Sequence, residues 1–114
     1  MLSNSGINKI ILLGKVCTEP QFNTGYERFL SFNLMTNEAI KKGTESIEHN
    51  EFHNVKVPDK IMLTEGLDLQ TGQIVYIEGK IHTKAYTDEV GVKRYDVSIL
   101  AGKIELVSEV PVII

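Results

Sequence analysis

Phe52, Lys56, Lys80, Lys84, Tyr86 and Arg94 are the residues of this chain whose types and spacing suit one shared chemistry. A ring offers a flat face to a nucleobase, and an ammonium or guanidinium group offers charge to a phosphate. Gathered on one surface, they make a platform for a single strand of nucleic acid. Lys80, Lys84 and Tyr86 recur at even spacing in IVYIEGKIHTKAYT, residues 74–87, so an extended chain points them to one side. Phe52 and Lys56 do the same in EFHNVKV, residues 51–57. Lysine on any one strand face also serves to keep sheet edges from pairing. Recurrence of the pattern on separate segments is what favours a binding track.

Catalytic chemistry has little support. His49, His53 and His82 show no His-x-x-x-His spacing, and no Cys-x-x-Cys accompanies them, so the sequence predicts no metal site. Cys17 is the single cysteine and reads as a small core or rim residue. Gly14 and Gly25 are isolated and form no phosphate-cradling loop. Glu48 and Glu51 flank a polar stretch with no sign of a held carboxylate pair. We therefore expect a binding protein without catalytic residues or cofactor.

The chain has 114 residues, which is one domain, and a formal net charge of −3. That total does not exclude a polyanionic partner, because the local field decides where a phosphate sits. A lone thiol forms no internal disulfide, which favours a reducing compartment. No apolar run approaches the roughly 18 residues of a membrane span. The start MLSNS lacks the marks of a secretion signal or a mitochondrial presequence. The expected location is therefore a reducing compartment inside the cell.

The elements that must position these side chains are mostly strands. Residues 7–16, INKIILLGKV, read as a central strand, apolar on both faces and covered on both sides, with Gly14 marking a bulge or a close backbone approach. Residues 28–37 form a second strand with Leu30, Phe32, Leu34 and Thr36 inward. Residues 38–50 are polar with Gly43 in the middle and read as a long mobile loop carrying Lys41 and Lys42, which would close over a bound strand. Residues 51–57 form the third strand, and Pro58 ends it. Asp59 is the expected N-cap of a short helix over residues 60–69, with Ile61, Leu63 and Leu67 against the sheet. A hairpin follows: residues 74–86, a turn at 87–91, and a return strand over 93–100. After Gly102 comes a last extended piece, KIELVSE, and residues 109–114 form an apolar end. This order predicts an all-β fold over residues 1–108: a five-stranded OB-fold barrel with a short helix between strands 3 and 4.

At this point four segments resemble those of the bacterial and mitochondrial single-stranded DNA-binding proteins: INKIILLGKVCTEP (7–20), LSFNLMTNE (30–38), EFHNV (51–55) and VYIEGKIHTKAYTDEVGVKRY (75–95). The resemblance covers residues 7–108. It implies an OB-fold that binds single-stranded DNA without sequence preference, in replication, repair or recombination. Two family tryptophans that stack on bases fall on Phe52 and Tyr86; a third falls near Ile40, and a family phenylalanine near Pro58. This chain has no tryptophan, so the stacking set contracts to Phe52 and Tyr86. The resemblance also implies a homotetramer assembled partly through the first strand, which brings in Ile11 and Leu13, with His53 at the subunit interface. A dimer is the alternative. Family members commonly continue into a tail with an acidic tip that recruits other proteins. This sequence ends EVPVII, so such recruitment is not expected of it. Two other readings stand beside this one: a dimeric primosomal replication protein, through GKVCTEP and IELVSE, and an OB-fold scaffold that works only through protein contacts.

Overall fold

The computed structural model describes residues 5–23, 28–65 and 68–108. The elements are β1 (Ile10–Val16), β2 (Gln21–Asn23), β3 (Phe29–Lys42), β4 (Glu45–Pro58), α1 (Asp59–Glu65), β5 (Ile74–Thr87) and β6 (Lys93–Ser108). The sheet order is β1-β5-β6-β4-β3-β2, and a further β1–β3 pairing closes it. β4 and β6 run parallel, joined at Val55↔Ile99 and Lys56↔Leu100. The other pairings are antiparallel. Five long strands thus form a closed barrel, with the helix between the third and fourth of them, as expected of an OB-fold. The three-residue β2, on the edge of β3, was not anticipated.

Strand alternation builds the core. Phe32 and Leu34 of β3, Val55 and Val57 of β4, Val75 and Ile77 of β5, and Ile99, Ala101 and Ile104 of β6 are buried together with Val16. Closure depends on a close approach at β1. A Cβ on Gly14 would lie 2.4 Å from the Met35 carbonyl oxygen, so only glycine lets Lys15 and Val16 reach β3. Gly79 meets the Leu100 carbonyl oxygen in the same way, at 2.3 Å. There the register of β6 skips Gly102: Glu78 pairs with Lys103, and Gly79 with Ala101. This β-bulge bends the β5–β6 pair around the barrel.

Several expectations are corrected. Residues 38–50 are not a mobile loop. They complete a hairpin arm, with Ala39 opposite Glu48, Ile40 opposite Ile47 and Lys42 opposite Glu45, turning at Gly43 with φ 63°. Both faces of the arm meet solvent, so the backbone ladder forms without the apolar alternation by which a strand is recognised. The helix is shorter than residues 60–69. It ends at Glu65, and Asp68–Gln70 are non-helical. The Gln73 side chain organises this stretch: its Oε1 accepts the Gln70 N–H at 2.8 Å, and its Nε2 donates to the Asp68 carbonyl at 3.3 Å. Leu69 therefore enters the core from a connection, while Ile61 and Met62 pack on the core from the helix. The Leu63 side chain and Leu67 lie outside what the structure describes, as does the expected apolar end, residues 109–114.

β1 begins at Ile10, and it is not covered on both sides. Ile10 and Leu12 pack on the core, whereas Ile11 and Leu13 are 58% and 57% exposed. The return strand and the last extended piece are one continuous β6. Among the described residues, no helix is long and apolar enough to cross a membrane.

Candidate nucleic-acid interface

Directly paired residues of neighbouring strands share a face, so the register assigns each side chain to one side of the sheet. The face opposite the core carries Met35, Asn37, Ala39 and Lys41 of β3 and, across from them, Phe52, Asn50, Glu48 and Ser46 of β4. Lys56 continues this face, and its parallel partner Leu100 carries it onto β6. From Leu100 it runs through Ser98, Asp96 and Arg94, opposite Lys80, His82, Lys84 and Tyr86 of β5. The register therefore turns Phe52, Lys56, Lys80, Lys84, Tyr86, Arg94 and Lys41 to the outer face of the sheet, on four strands that are neighbours in it. Phe52 is 60% exposed and Tyr86 49%, so both rings have area to offer a base. Lys42 is not part of the set: it pairs with Glu45 and alternation turns it to the other side. Lys41 and Lys42 both sit at the tip of a hairpin and not on a loop that closes.

The joined strands frame an open depression of about 540 Å³. Phe29, Pro58 and Leu100 supply its apolar lining, and Asn23, Arg28, Lys56, His82, Lys84 and Asp96 its polar lining. Phe29, Arg28 and Asp96 are among the members that the sequence reading did not place in the site. Alternation already put Phe29 outward, but its role depends on β4 lying beside it, with Phe29 opposite Pro58.

The cations of this face differ in what they already hold. Lys56 Nζ donates to Asp96 Oδ2 at 3.0 Å and lies 5.1 Å from the centroid of the Phe29 ring. Arg94 Nε donates to Asp88 Oδ2 at 2.8 Å. Arg28 Nε is 3.3 Å from Asp59 Oδ2, and its guanidinium stands over Phe22. Lys41, Lys80 and Lys84 have no carboxylate partner among the described residues.

Asp88 organises the tip of the β5–β6 arm. Its Oδ1 accepts the backbone N–H of Val90 at 3.1 Å and of Val92 at 2.9 Å. The Arg94 hydrogen bond and these amides hold its carboxyl below the usual range. A depressed carboxyl contributes stability that is complete above its unfolded value and is lost as pH falls through the folded one. Acidification through and below the ordinary carboxylate range is thus expected to release the tip. The Val90 and Val92 amide resonances should shift together with the Arg94 Nε–H. An unchanged tip well below that range would show that the turn stands without the carboxylate.

A second surface surrounds β1. Ile11 lies opposite Glu78 and Leu13 opposite Tyr76. The Tyr76 hydroxyl donates to Glu78 Oε2 at 2.7 Å, which raises the phenol and lowers the carboxyl from their ordinary values. His53 stands on β4 opposite Leu34, and its Nε2 is 3.0 Å from Thr36 Oγ1. Among the described residues no cluster of three or more His, Cys, Asp or Glu is arranged to hold a metal.

With this geometry in hand, the chain can be set beside known proteins. A model of the single-strand binding protein family matches residues 7–107. A single-stranded DNA-binding protein of Bacteroides thetaiotaomicron is 32% identical over 108 residues, which are 90% of this chain and 66% of that protein. One from Neisseria meningitidis is 27% identical over 103 residues, covering 88% of this chain and 59% of the relative. The chain thus spans less than two thirds of the length of these curated relatives. Among solved structures, the Plasmodium falciparum SSB in complex with ssDNA superposes with a TM-score of 0.74 at 26% identity, covering 94% of this chain and 98% of that one. A deletion mutant of the single-stranded DNA-binding protein from Thermus aquaticus shares the fold at a TM-score of 0.75 and 22% identity, over 91% of this chain and 52% of that one.

Proposed function

The chain belongs to the single-strand binding protein family, and from that premise we propose that it coats single-stranded DNA without sequence preference, as a binding protein and not an enzyme. Its place is DNA replication, repair or recombination, in the cytoplasm at the nucleoid. The observation that carries the reading is the common face of Phe52 and Tyr86, two exposed rings from different hairpins with lysines between them. Every base has a ring face, so stacking on these two tolerates any sequence. Lys80, Lys84 and Lys41 stand ready for phosphates, while Lys56 and Arg94 come to them through exchange of their aspartates. Titration with oligo-dT, followed by the fluorescence of the four tyrosines, tests the proposal. Saturable binding that weakens steeply with salt supports it. Binding that is absent at low salt, or insensitive to salt, refutes it.

The assembly is a homotetramer that uses Ile11 and Leu13. Two large apolar side chains stand exposed side by side on a strand, where a lone domain gains nothing from them. His53 contributes at the subunit interface through the ring edge that the Thr36 contact leaves open. Light scattering should give four times the 12.8 kDa of the chain. The Ile11→Glu/Leu13→Glu variant should give a smaller species, since burying two carboxylates at an interface is strongly unfavourable. A wild-type mass of two chains would favour the dimer instead, and an unchanged mass in the variant would remove β1 from the interface.

A further inference from the structure

We infer that Asp96 is an internal competitor for the DNA backbone: it occupies Lys56 in the free protein and so sets both the affinity and the salt dependence of strand binding. This rests on the proposed DNA-binding function. Three cations bordering the depression or the adjacent arm, Arg28, Lys56 and Arg94, are each paired with an aspartate. Asp59 is the acidic residue of the first turn of the helix, and Asp88 shapes a turn through two backbone amides, so both have structural work apart from the cation. Asp96 has none: its described contact is the Lys56 ammonium. It stands on the binding face itself, paired across the strands with Lys84 and lining the depression. A carboxylate there offers Lys56 what a phosphate oxygen would offer.

The exchange has a definite signature. A phosphate that takes Lys56 must displace Asp96, which is then left in solvent beside a polyanion and gathers a cation of its own. The counterion gained there offsets the one that the DNA releases, so Lys56 adds little to the salt slope. Without the carboxylate, Lys56 meets the phosphate directly and adds one full contact.

Oligo-dT binding is compared across a salt series for the wild type, Asp96→Asn, Lys56→Gln and the double variant, with thermal melts to check folding. Asp96→Ser serves as a second, smaller replacement. Asp96→Asn is expected to bind roughly three- to tenfold more tightly, as one charge-assisted contact supplies. Its log–log salt slope should steepen by about 0.7, the increment for one further phosphate on a single strand. In the Lys56→Gln background the same change should fall to within about twofold, because the competition has lost its object. Affinity and slope equal to wild type in both Asp96 variants would overturn the inference. So would a gain that survives in the Lys56→Gln background, which would make Asp96 a diffuse field and not a partner. Absence of binding by all five proteins would overturn the DNA-binding reading and this inference with it.

Discussion

The Phe52→Ala/Tyr86→Ala variant is expected to bind oligo-dT more weakly than wild type by about 2–6 kcal/mol, roughly 30-fold to more than 10⁴-fold, at fixed salt. Each ring is taken to stack one base at about 1–3 kcal/mol. The two come from β4 and β5, on separate hairpins, so their losses should add. Phe52 and Tyr86 are 60% and 49% exposed, and removing the rings takes little from the core. The variant should therefore melt near the wild type, which separates lost binding from lost folding. The salt slope should hardly change, because no phosphate contact is removed. A loss under about threefold would dismiss both rings as base platforms. The lysines would then carry the binding alone, and the slope would have to show it.

Leu34→Ala is expected to cost about 2–5 kcal/mol of folding stability, read as a lower urea midpoint with an unchanged m-value. Leu34 is fully buried and lies where three strands meet. It pairs with His53 of β4 on one side and with Val16 of β1 on the other. A Cβ at Gly14 would come within 3.1 Å of its Cγ, so the side chain fills the seam that closes the barrel. Backbone pairing on both flanks keeps the strands from collapsing into the space, which puts the cost toward the upper end of the range. A small domain has little stability in reserve, and this one change could consume much of it. A loss under 1 kcal/mol would show that the seam repacks and that closure does not depend on Leu34.

Much of the proposed binding face was legible beforehand, for a local reason. Alternation within one strand is a property of neighbouring residues, and it already put Lys80, Lys84 and Tyr86 on one side and Phe52 with Lys56 on another. What alternation could not say is that these two sides coincide. That follows from the parallel contact of β4 with β6 at Lys56↔Leu100, between residues 44 apart in sequence. The arm over residues 38–50 was misread for a related reason. Burial writes the pattern that marks a strand, and an arm exposed on both faces carries no such mark. Correcting it also divided Lys41 from Lys42, because a register assigns faces and a loop does not.

Order of elements, core composition and the choice of rings and cations were set by the sequence itself, since each depends on residues close together in the chain. Gly14 and Gly79 were visible as exceptions within strands, although what crowds them was not. Tertiary structure alone decided that Lys56 lies against Asp96, that Arg28 and Phe29 border the same depression, and that Ile11 and Leu13 stand uncovered. Those are outcomes of barrel closure. Closure brings distant strands to within a few ångströms, so each charge meets neighbours that no local pattern encodes.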